Sequence, residues 1–164
     1  MLNTKTILQR LLENNIDFVL VGGLAATLYG ASTVTYDIDI CFDFSGQNVQ
    51  KMLDALKGLN PRVRMQSGWV GLHEIPLERL SELKNLYLQT DCGGLDLLGS
   101  LIEIGDYRQA KQRSQTIDVF NKPCQILEIE ALIQIKENIG RPKDHQVALE
   151  LKAILEKSRL KEEK

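Results

Sequence analysis

The chain reads FVLVGGLAATLYG at residues 18–30 and TYDIDI at residues 35–40, and these two segments decide the fold. The first opens with the continuous apolar run Phe18–Val21, which is typical of a strand buried on both faces of a sheet. Two glycines then break the run, and the Leu- and Ala-rich residues 24–29 predict a short helix that ends at Gly30. The segment therefore predicts a tight strand-to-helix junction.

The second segment lies in a stretch, residues 36–44, that predicts a strand with one acidic face. Ile38 and Ile40 fall on one face, whereas Asp37 and Asp39 fall on the other, because successive side chains of a strand point to opposite sides. The two carboxylates then lie roughly 6–7 Å apart at the backbone. Burying two such anions is unfavourable unless a cation compensates, and Mg²⁺ prefers oxygen ligands. A strand whose acidic face meets water is the alternative.

A third carboxylate, Asp96, lies in the apolar segment 95–98. Strands disfavour Asp, so an Asp among apolar strand residues is a candidate for the same site as the first pair. An edge-strand Asp that faces solvent explains the pattern equally well.

Phosphate-binding groups are expected at two places. The junction at Gly22 and Gly23 lets a backbone approach a ligand closely, and a helix that begins there offers free N–H groups. Further along, the segment GRPKD at residues 140–144 lies between two predicted helices, residues 128–138 and 142–158. Lys136 lies one helical turn earlier, so Lys136, Arg141 and Lys143 are candidates for binding phosphates. A tight turn and a solvated interhelical turn are the alternatives.

The periodicity along the chain predicts the order helix, strand, helix, then mostly strands, then helices. Amphipathic helices are predicted over residues 4–14 and 48–59, and the tail 157–164 is expected to fray. Strand pairs are predicted at 85–90 with 95–98 and at 117–120 with 124–127, turning at 91–94 and 121–123. Residues 62–84 have mixed signals, and residues 99–116 are left unassigned. This order predicts an α+β sheet with helices packed on it.

Length and composition favour one globular domain. The chain has 164 residues, of which 43% are hydrophobic and 26% are charged, and its formal net charge is -2. That charge gives no overall basic field for nucleic acid, so an RNA partner would need a local patch. The three cysteines follow no metal or disulfide spacing. Neither a signal peptide nor a membrane span is visible, so a cytoplasmic location is expected.

Together, these segments resemble the nucleotidyltransferase superfamily. The similarity is greatest to its small prokaryotic branch, which includes minimal nucleotidyltransferases and the nucleotidyltransferase-like toxins of abortive-infection systems. In that superfamily a Gly-Gly or Gly-Ser motif opens a helix, an Asp-x-Asp pair follows, and a third acidic residue lies on a nearby strand. Here the matching positions are Gly22-Gly23, Asp37 with Asp39, and Asp96. The segment 140–144 also resembles the branch.

The resemblance implies a polymerase-beta-like fold with a mixed sheet flanked by helices, as a single domain over residues 1–164 with its C-terminal helices, 128–158, packed on it. It implies transfer of a nucleoside monophosphate from a nucleoside triphosphate, ATP among the candidates, to an acceptor hydroxyl, with release of pyrophosphate. The implied catalytic residues and ligands of Mg²⁺ (or Mn²⁺) are Asp37, Asp39 and Asp96. The implied nucleotide-binding residues are Gly22, Gly23, Lys136, Arg141, Lys143 and Asp144.

One departure keeps a second interpretation open. Relatives often carry an Arg between the helix-ending glycine and the Asp-x-Asp pair, but residues 31–34 contain none. The chain is then either a transferase or a non-catalytic module of the same fold, for example a toxin–antitoxin component. The acceptor stays open among RNA, another protein and a small molecule such as an aminoglycoside, and a protein partner or homo-oligomer is a further expectation.

Overall fold

The computed structural model describes residues 3–164, which form helices on both sides of a central sheet. The helices are α1 (Thr4–Glu13), α2 (Gly22–Tyr29), α3 (Gly46–Ala55), α4 (Leu77–Ser81), α5 (Tyr107–Gln112), α6 (Ile129–Ile139) and α7 (Pro142–Glu162). The strands are β1 (Phe18–Val21), β2 (Asp37–Phe42), β3 (Arg62–Met65), β4 (Gly68–Gly71), β5 (Asn85–Thr90), β6 (Gly93–Leu98), β7 (Ser100–Leu101), β8 (Gly105–Asp106), β9 (Ser114–Val119) and β10 (Lys122–Leu127).

Eight strands form one mixed sheet in the order β4-β3-β5-β6-β2-β1-β10-β9, and β7 and β8 form a separate two-stranded ribbon. Strand β2 lies near the middle, antiparallel to β1 and parallel to β6. Strand β1 also runs parallel to β10, so the sheet combines both kinds of pairing. The predicted α+β class and the mixed sheet flanked by helices are therefore confirmed.

The apolar face of the central strands is fully buried. Ile38 and Ile40 of β2 and Leu95 and Leu97 of β6 have no solvent exposure. Because side chains alternate along a strand, the carboxyl groups of both strands point to the opposite face of the sheet. Helices α1 and α3 contact each other, whereas α2 contacts β1, β2, α6 and α7. One apolar core joins these elements. The opposite face is accessible at Asp37, Asp39 and Asp96, which keep full or partial solvent exposure.

Two predicted helix boundaries need correction. Gly22 and Gly23 are the first two residues of α2 rather than a break before it, and Gly30 ends the helix as predicted, in the left-handed conformation at φ 113°. Helix α3 ends at Ala55 instead of residue 59, since the chain turns at Leu56 and Leu59, which are both buried in the core. Tertiary burial therefore overrides the helical periodicity at this end.

The strand pairs are longer than predicted. Strand β6 includes Gly93 and Gly94, so the turn after β5 contains only Asp91 and Cys92. The second pair turns at Phe120 and Asn121, which both have positive φ, as a tight hairpin turn requires. Residues 62–84 contain β3, β4, a 3₁₀ turn and α4, and residues 99–116 contain β7, β8, α5 and the start of β9. The tail continues helix α7 to Glu162 rather than fraying from residue 157.

Among residues 3–164, the helices are all too short or too polar to span a lipid bilayer.

Candidate active site

The carboxylates of Asp39 and Asp96 meet at the centre of the accessible face. Asp39 of β2 lies directly beside Asp96 of β6 in the parallel register of the two strands. Both side chains are half-buried, and the two carboxyl groups are in hydrogen-bonding contact. The predicted convergence of these residues, which are 57 positions apart in the sequence, is therefore present in the fold.

This contact changes how the pair titrates. Burial, together with the negative charges of Asp39 and Asp37, raises the pKa of Asp96 to about 7. Burial also raises the pKa of Asp39, although its hydrogen bond to Asp96 and the positive charge of Lys136 act in the opposite direction. The pair therefore shares a proton when no cation compensates its charge.

Asp37 extends this pair into an acidic cluster. It is exposed at the start of β2 and lies beside Gly94 of β6. A Cβ atom at Gly94 would collide with the Asp37 carboxylate, so only glycine leaves room for the side chain of Asp37 to lie over β6. Gly94, which was expected to lie in a turn, therefore allows the side chain of Asp37 to join the acidic cluster.

Gly22 brings the beginning of helix α2 against the same cluster. Its φ of 68° lies in the left-handed region, and a Cβ atom there would collide with the Asp39 carboxylate. No side chain caps the N-terminus of α2. The first N–H groups of the helix therefore remain available to an anion at this position.

Gly23 and Thr35 pack closely on the other side of this junction. A Cβ atom at Gly23 would lie 3.1 Å from the Cβ of Thr35, which is tighter than ordinary contact. The Thr35 hydroxyl in turn donates a hydrogen bond to the carbonyl of Asp37 at 2.9 Å. This hydroxyl fixes the start of β2, although the sequence analysis did not select Thr35.

Lys136 connects the acidic cluster to the C-terminal helices. Its side chain is 13% exposed, and its ammonium donates a hydrogen bond to Oδ1 of Asp144 at 3.1 Å. Arg141 donates to Oδ2 of the same carboxylate at 2.6 Å. The positive charge of Lys136 also lowers the pKa of Asp39, so it acts on the acidic cluster as well as on Asp144.

The remaining predicted nucleotide-binding residues differ in their surroundings. The Asp144 side chain is only 1% exposed and already accepts hydrogen bonds from two cations, so its carboxylate serves to position them. Lys143 is exposed at the start of α7 and forms no ion pair with the residues that the structure describes. Nucleotide binding by Lys136, Arg141, Lys143 and Asp144 stays a prediction.

The acidic cluster offers oxygen ligands to a metal ion but does not form a complete coordination site. Within residues 3–164, no group of three carboxylate, imidazole or thiol side chains is already arranged to enclose an ion. The donor set is nevertheless purely carboxylate, the type that hard divalent cations prefer, and two of its members are in contact.

The sequence analysis missed a group of side chains beside Asp96. Arg64, Trp69 and Tyr87 line a cavity of about 170 Å³ together with Asp37 and Asp96. Tyr87 lies in the predicted strand 85–90, whereas Arg64 and Trp69 lie in residues 62–84, whose mixed signals predicted only strand and loop. The alternation of Arg62 and Arg64 with apolar neighbours, followed by the only tryptophan of the chain between two glycines, is the signal that could have found them.

No protein-family model and no curated protein sequence matches the chain. Its backbone does match solved structures. The lincosamide antibiotic adenylyltransferase LnuA, solved with lincomycin bound, superimposes with a TM-score of 0.61 at 19% identity, over 93% of this chain and 98% of LnuA. The enzyme ANT(2″)-Ia, solved in complex with adenylyl-2″-tobramycin, gives a TM-score of 0.56 at 19% identity, over 90% and 84% of the two chains.

A third match is a protein from Thermotoga maritima assigned as a nucleotidyltransferase, with a TM-score of 0.53 at 16% identity over 97% of this chain and 91% of that one. The chain has the nucleotidyltransferase fold. At these identities the similarity establishes the fold alone, so the resemblance proposed from the sequence is confirmed at that level. The nucleotidyltransferase fold here places its acidic cluster at the start of β2 and on the neighbouring strand β6.

Proposed function

We propose that this protein transfers a nucleoside monophosphate from a nucleoside triphosphate to a hydroxyl group of an acceptor, with release of pyrophosphate. The observation that carries the proposal is the contact between Asp39 and Asp96 beside the uncapped N-terminus of α2. An acidic pair next to an anion-binding helix end is a charge arrangement that suits a cation and a phosphate chain together.

In this proposal, residues at the start of α2 and in the C-terminal helices bind the triphosphate. The N–H groups at Gly22 and Gly23 bind the phosphates of the triphosphate, and Lys136 adds positive charge on the same side. Asp144 holds the Lys136 ammonium and the Arg141 guanidinium in place by accepting hydrogen bonds from both. Arg141 and the exposed Lys143 are further candidates for contacts with the departing pyrophosphate.

The reaction forms one bond and breaks one. The acceptor oxygen attacks the α-phosphorus, a new P–O bond forms, and the bond from the α-phosphorus to the bridging oxygen of the β-phosphate breaks. That bridging oxygen leaves with the pyrophosphate, which carries the negative charge away. The proton of the acceptor hydroxyl passes to a carboxylate oxygen of the acidic cluster, and Asp96 is our candidate for this role.

Asp37, Asp39 and Asp96 would hold Mg²⁺ or Mn²⁺ through carboxylate oxygens. Bound there, the ion supplies positive charge against the phosphates and lowers the pKa of the acceptor hydroxyl. For the acceptor, the proposal specifies only that the molecule carries a hydroxyl group. Two of the structures with this fold are antibiotic adenylyltransferases, which favours a small molecule over a macromolecule as the first acceptor to test.

The test is transfer of label from each of the four nucleoside triphosphates, labelled at the α-phosphate, in the presence of Mg²⁺. Acceptors are offered as separate pools of small molecules, total RNA and cell protein. We expect one pool to become labelled by the wild-type protein, and we expect Asp39→Asn to lose at least about a hundredfold of that rate.

Asp54→Asn is the matched control for this test. Asp54 is an exposed carboxylate of α3 outside the cluster, so its variant should transfer label at the wild-type rate. Circular dichroism should show that both variants are folded. If Asp39→Asn retains the wild-type rate, or if no pool is labelled by the wild-type protein, the proposal is wrong.

A non-catalytic module is the second candidate. It is favoured by the lack of a finished three-group metal cage within residues 3–164 and by the absence of Arg from residues 31–34. Calorimetry separates the two candidates, because a transferase must bind a triphosphate together with Mg²⁺ or Mn²⁺. A protein that binds none of the four triphosphates under these conditions is a binding module.

A further inference from the structure

One row of side chains crosses the accessible face from the sheet edge to the acidic cluster. On β4 and β3, Trp69 lies opposite Arg64. Strands β3 and β5 are antiparallel, with Val63 opposite Leu88. The same register, continued by one residue, places Arg64 opposite Tyr87. Tyr87 then lies opposite Asp96, and Asp96 lies beside Asp39.

This row contains both an open aromatic surface and the acidic pair. Trp69 is 51% exposed and Tyr87 is 56% exposed, which is unusual for side chains with so much apolar area. The cavity of about 170 Å³ lies between them and the carboxylates, with Asp37 and Asp96 at one end and Arg64 at the other. A ligand in this cavity is therefore in reach of Asp96.

Two arginines contact the Trp69 ring. The guanidinium carbons of Arg64 and Arg62 lie 5.4 Å and 5.9 Å from the centre of the Trp69 ring, within the range of cation–π attraction. Arg62 is itself anchored by Asp91, at 3.2 Å. These contacts restrict the rotation of the indole, which lowers the entropic cost of stacking a ligand on it.

We propose that Arg64, Trp69 and Tyr87 form the acceptor subsite and that its ligand is a compact, uncharged ring that carries a hydroxyl group, such as one sugar unit. This inference rests on the proposed function and names its second substrate. Stacking of the ring on Trp69 and Tyr87 positions its hydroxyl toward Asp96.

Size and charge select this class of ligand. A cavity of about 170 Å³ is smaller than the roughly 300–1,000 Å³ of sites that enclose drug-sized ligands, so it admits one ring and leaves the remainder of the acceptor in solvent. The cavity is lined by the cation Arg64 and by the carboxylates of Asp37 and Asp96, so a ligand with a high charge of either sign is repelled by one of these groups. A single-stranded RNA would need a longer basic groove than this one arginine provides.

The sole tryptophan of the chain gives a readout that does not depend on catalysis. Because Trp69 is the only source of indole fluorescence, a ligand that stacks on it changes the emission directly. The probes are neutral methyl glycosides of hexoses at millimolar concentration, tobramycin as a polycation, and a short oligoribonucleotide with a free 3′-hydroxyl. We expect the emission to change with at least one methyl glycoside and not with the other two probes.

Calorimetry with variants then assigns the binding site. Trp69→Ala should weaken binding of that glycoside at least tenfold, and Trp69→Phe should weaken it only a few-fold because an aromatic face remains. Phe120→Ala is the matched control, since Phe120 is an exposed aromatic residue in the hairpin between β9 and β10, at the opposite edge of the sheet. It should bind the glycoside as the wild-type protein does.

Each outcome decides one proposal. If no methyl glycoside binds, if tobramycin or the oligoribonucleotide binds instead, or if Trp69→Ala binds the glycoside as tightly as Trp69→Phe, the acceptor subsite is refuted. If the glycoside binds at Trp69 but no triphosphate donates label to any acceptor, the subsite stands as a binding site and the proposed transfer is refuted.

Discussion

The ammonium of Lys136 lies 3.1 Å from Oδ1 of the buried Asp144, and its positive charge also lowers the pKa of Asp39 in the acidic cluster. Asp144 belongs to the first turn of α7, and Lys136 belongs to the last turn of α6. Their hydrogen bond therefore ties the two C-terminal helices together and sets the distance between a positive charge and Asp39. Stability and catalysis are expected to depend on the same contact.

Asp144→Asn should destabilise the protein by about 2 kcal/mol at neutral pH, because two cations lose a buried charged partner. Burial alone raises the pKa of Asp144, but the hydrogen bonds from Arg141 and Lys136 outweigh it and hold the pKa below its ordinary value. A carboxyl group whose pKa is lowered by folding contributes its stability above the ordinary pKa and loses it as the pH falls through the folded-state value.

The difference in unfolding free energy between wild type and Asp144→Asn should therefore be constant near neutrality and should shrink in acid, below about pH 4. Urea titrations at a series of pH values measure it. Asp54→Asn, which removes an exposed carboxylate, should show almost no difference at any pH. A difference for Asp144→Asn that persists unchanged into strong acid would contradict this assignment.

Asp96→Asn should stabilise the protein when divalent cations are removed with a chelator. Two carboxyl groups in contact oppose each other's ionisation, and burial adds to the raised pKa of Asp96. A group whose pKa is raised on folding costs stability as the pH rises from the unfolded-state pKa, about 3.9, to the folded-state value. The gain should be at most about 1 kcal/mol, because solvent screens this half-exposed pair.

Thermal unfolding in chelator measures this effect, and the gain for Asp96→Asn should be largest above pH 7 and smallest near pH 4. Added Mg²⁺ should raise the melting temperature of the wild-type protein more than that of the variant. Equal melting temperatures for the two proteins across the whole pH range would show that the carboxyl groups do not oppose each other.

Gly22→Ala should remove nucleotide transfer and destabilise the fold. The residue has φ 68°, and a Cβ atom would meet the Asp39 carboxylate. Gly58 is a matched control because its φ is also positive, at 81°, while no atom lies within 4 Å of an added Cβ. Gly58→Ala should therefore cost only the backbone term of about 1–2 kcal/mol and keep full activity. Comparable activity losses in both variants would mean that the contact with Asp39 is irrelevant.

Gly94→Ala tests the position of Asp37 without backbone strain. Gly94 lies within strand β6 and has no positive φ, but its added Cβ would collide with the Asp37 carboxylate. Displacement of that side chain should lower the rate of label transfer at least about tenfold while leaving most of the stability. Steady-state rates beside a chemical denaturation curve measure both quantities. A variant that is fully active would place Asp37 outside the reaction.

Local sequence patterns were sufficient for the elements that carry the site. The apolar run Phe18–Val21 and the alternation around Asp37 and Asp39 correctly predicted β1 and β2, because burial on two faces or on one face leaves a direct mark on the order of residues. Local sequence patterns failed where a tertiary contact decided the secondary structure. Gly93 and Gly94 were expected to form a turn but lie within strand β6. The glycine at position 94 makes room for the side chain of Asp37, a contact between distant segments that the local pattern does not reveal.

The amino-acid sequence by itself determined which face of β2 is acidic, where α2 ends, and that Asp96 stands among apolar residues. Only the tertiary structure decided that β6 runs parallel beside β2 in the register that sets Asp96 against Asp39. It also decided that Trp69 and Tyr87 line the approach to this pair. The reason is physical: alternation is a property of one strand, whereas register and strand order depend on contacts between distant segments.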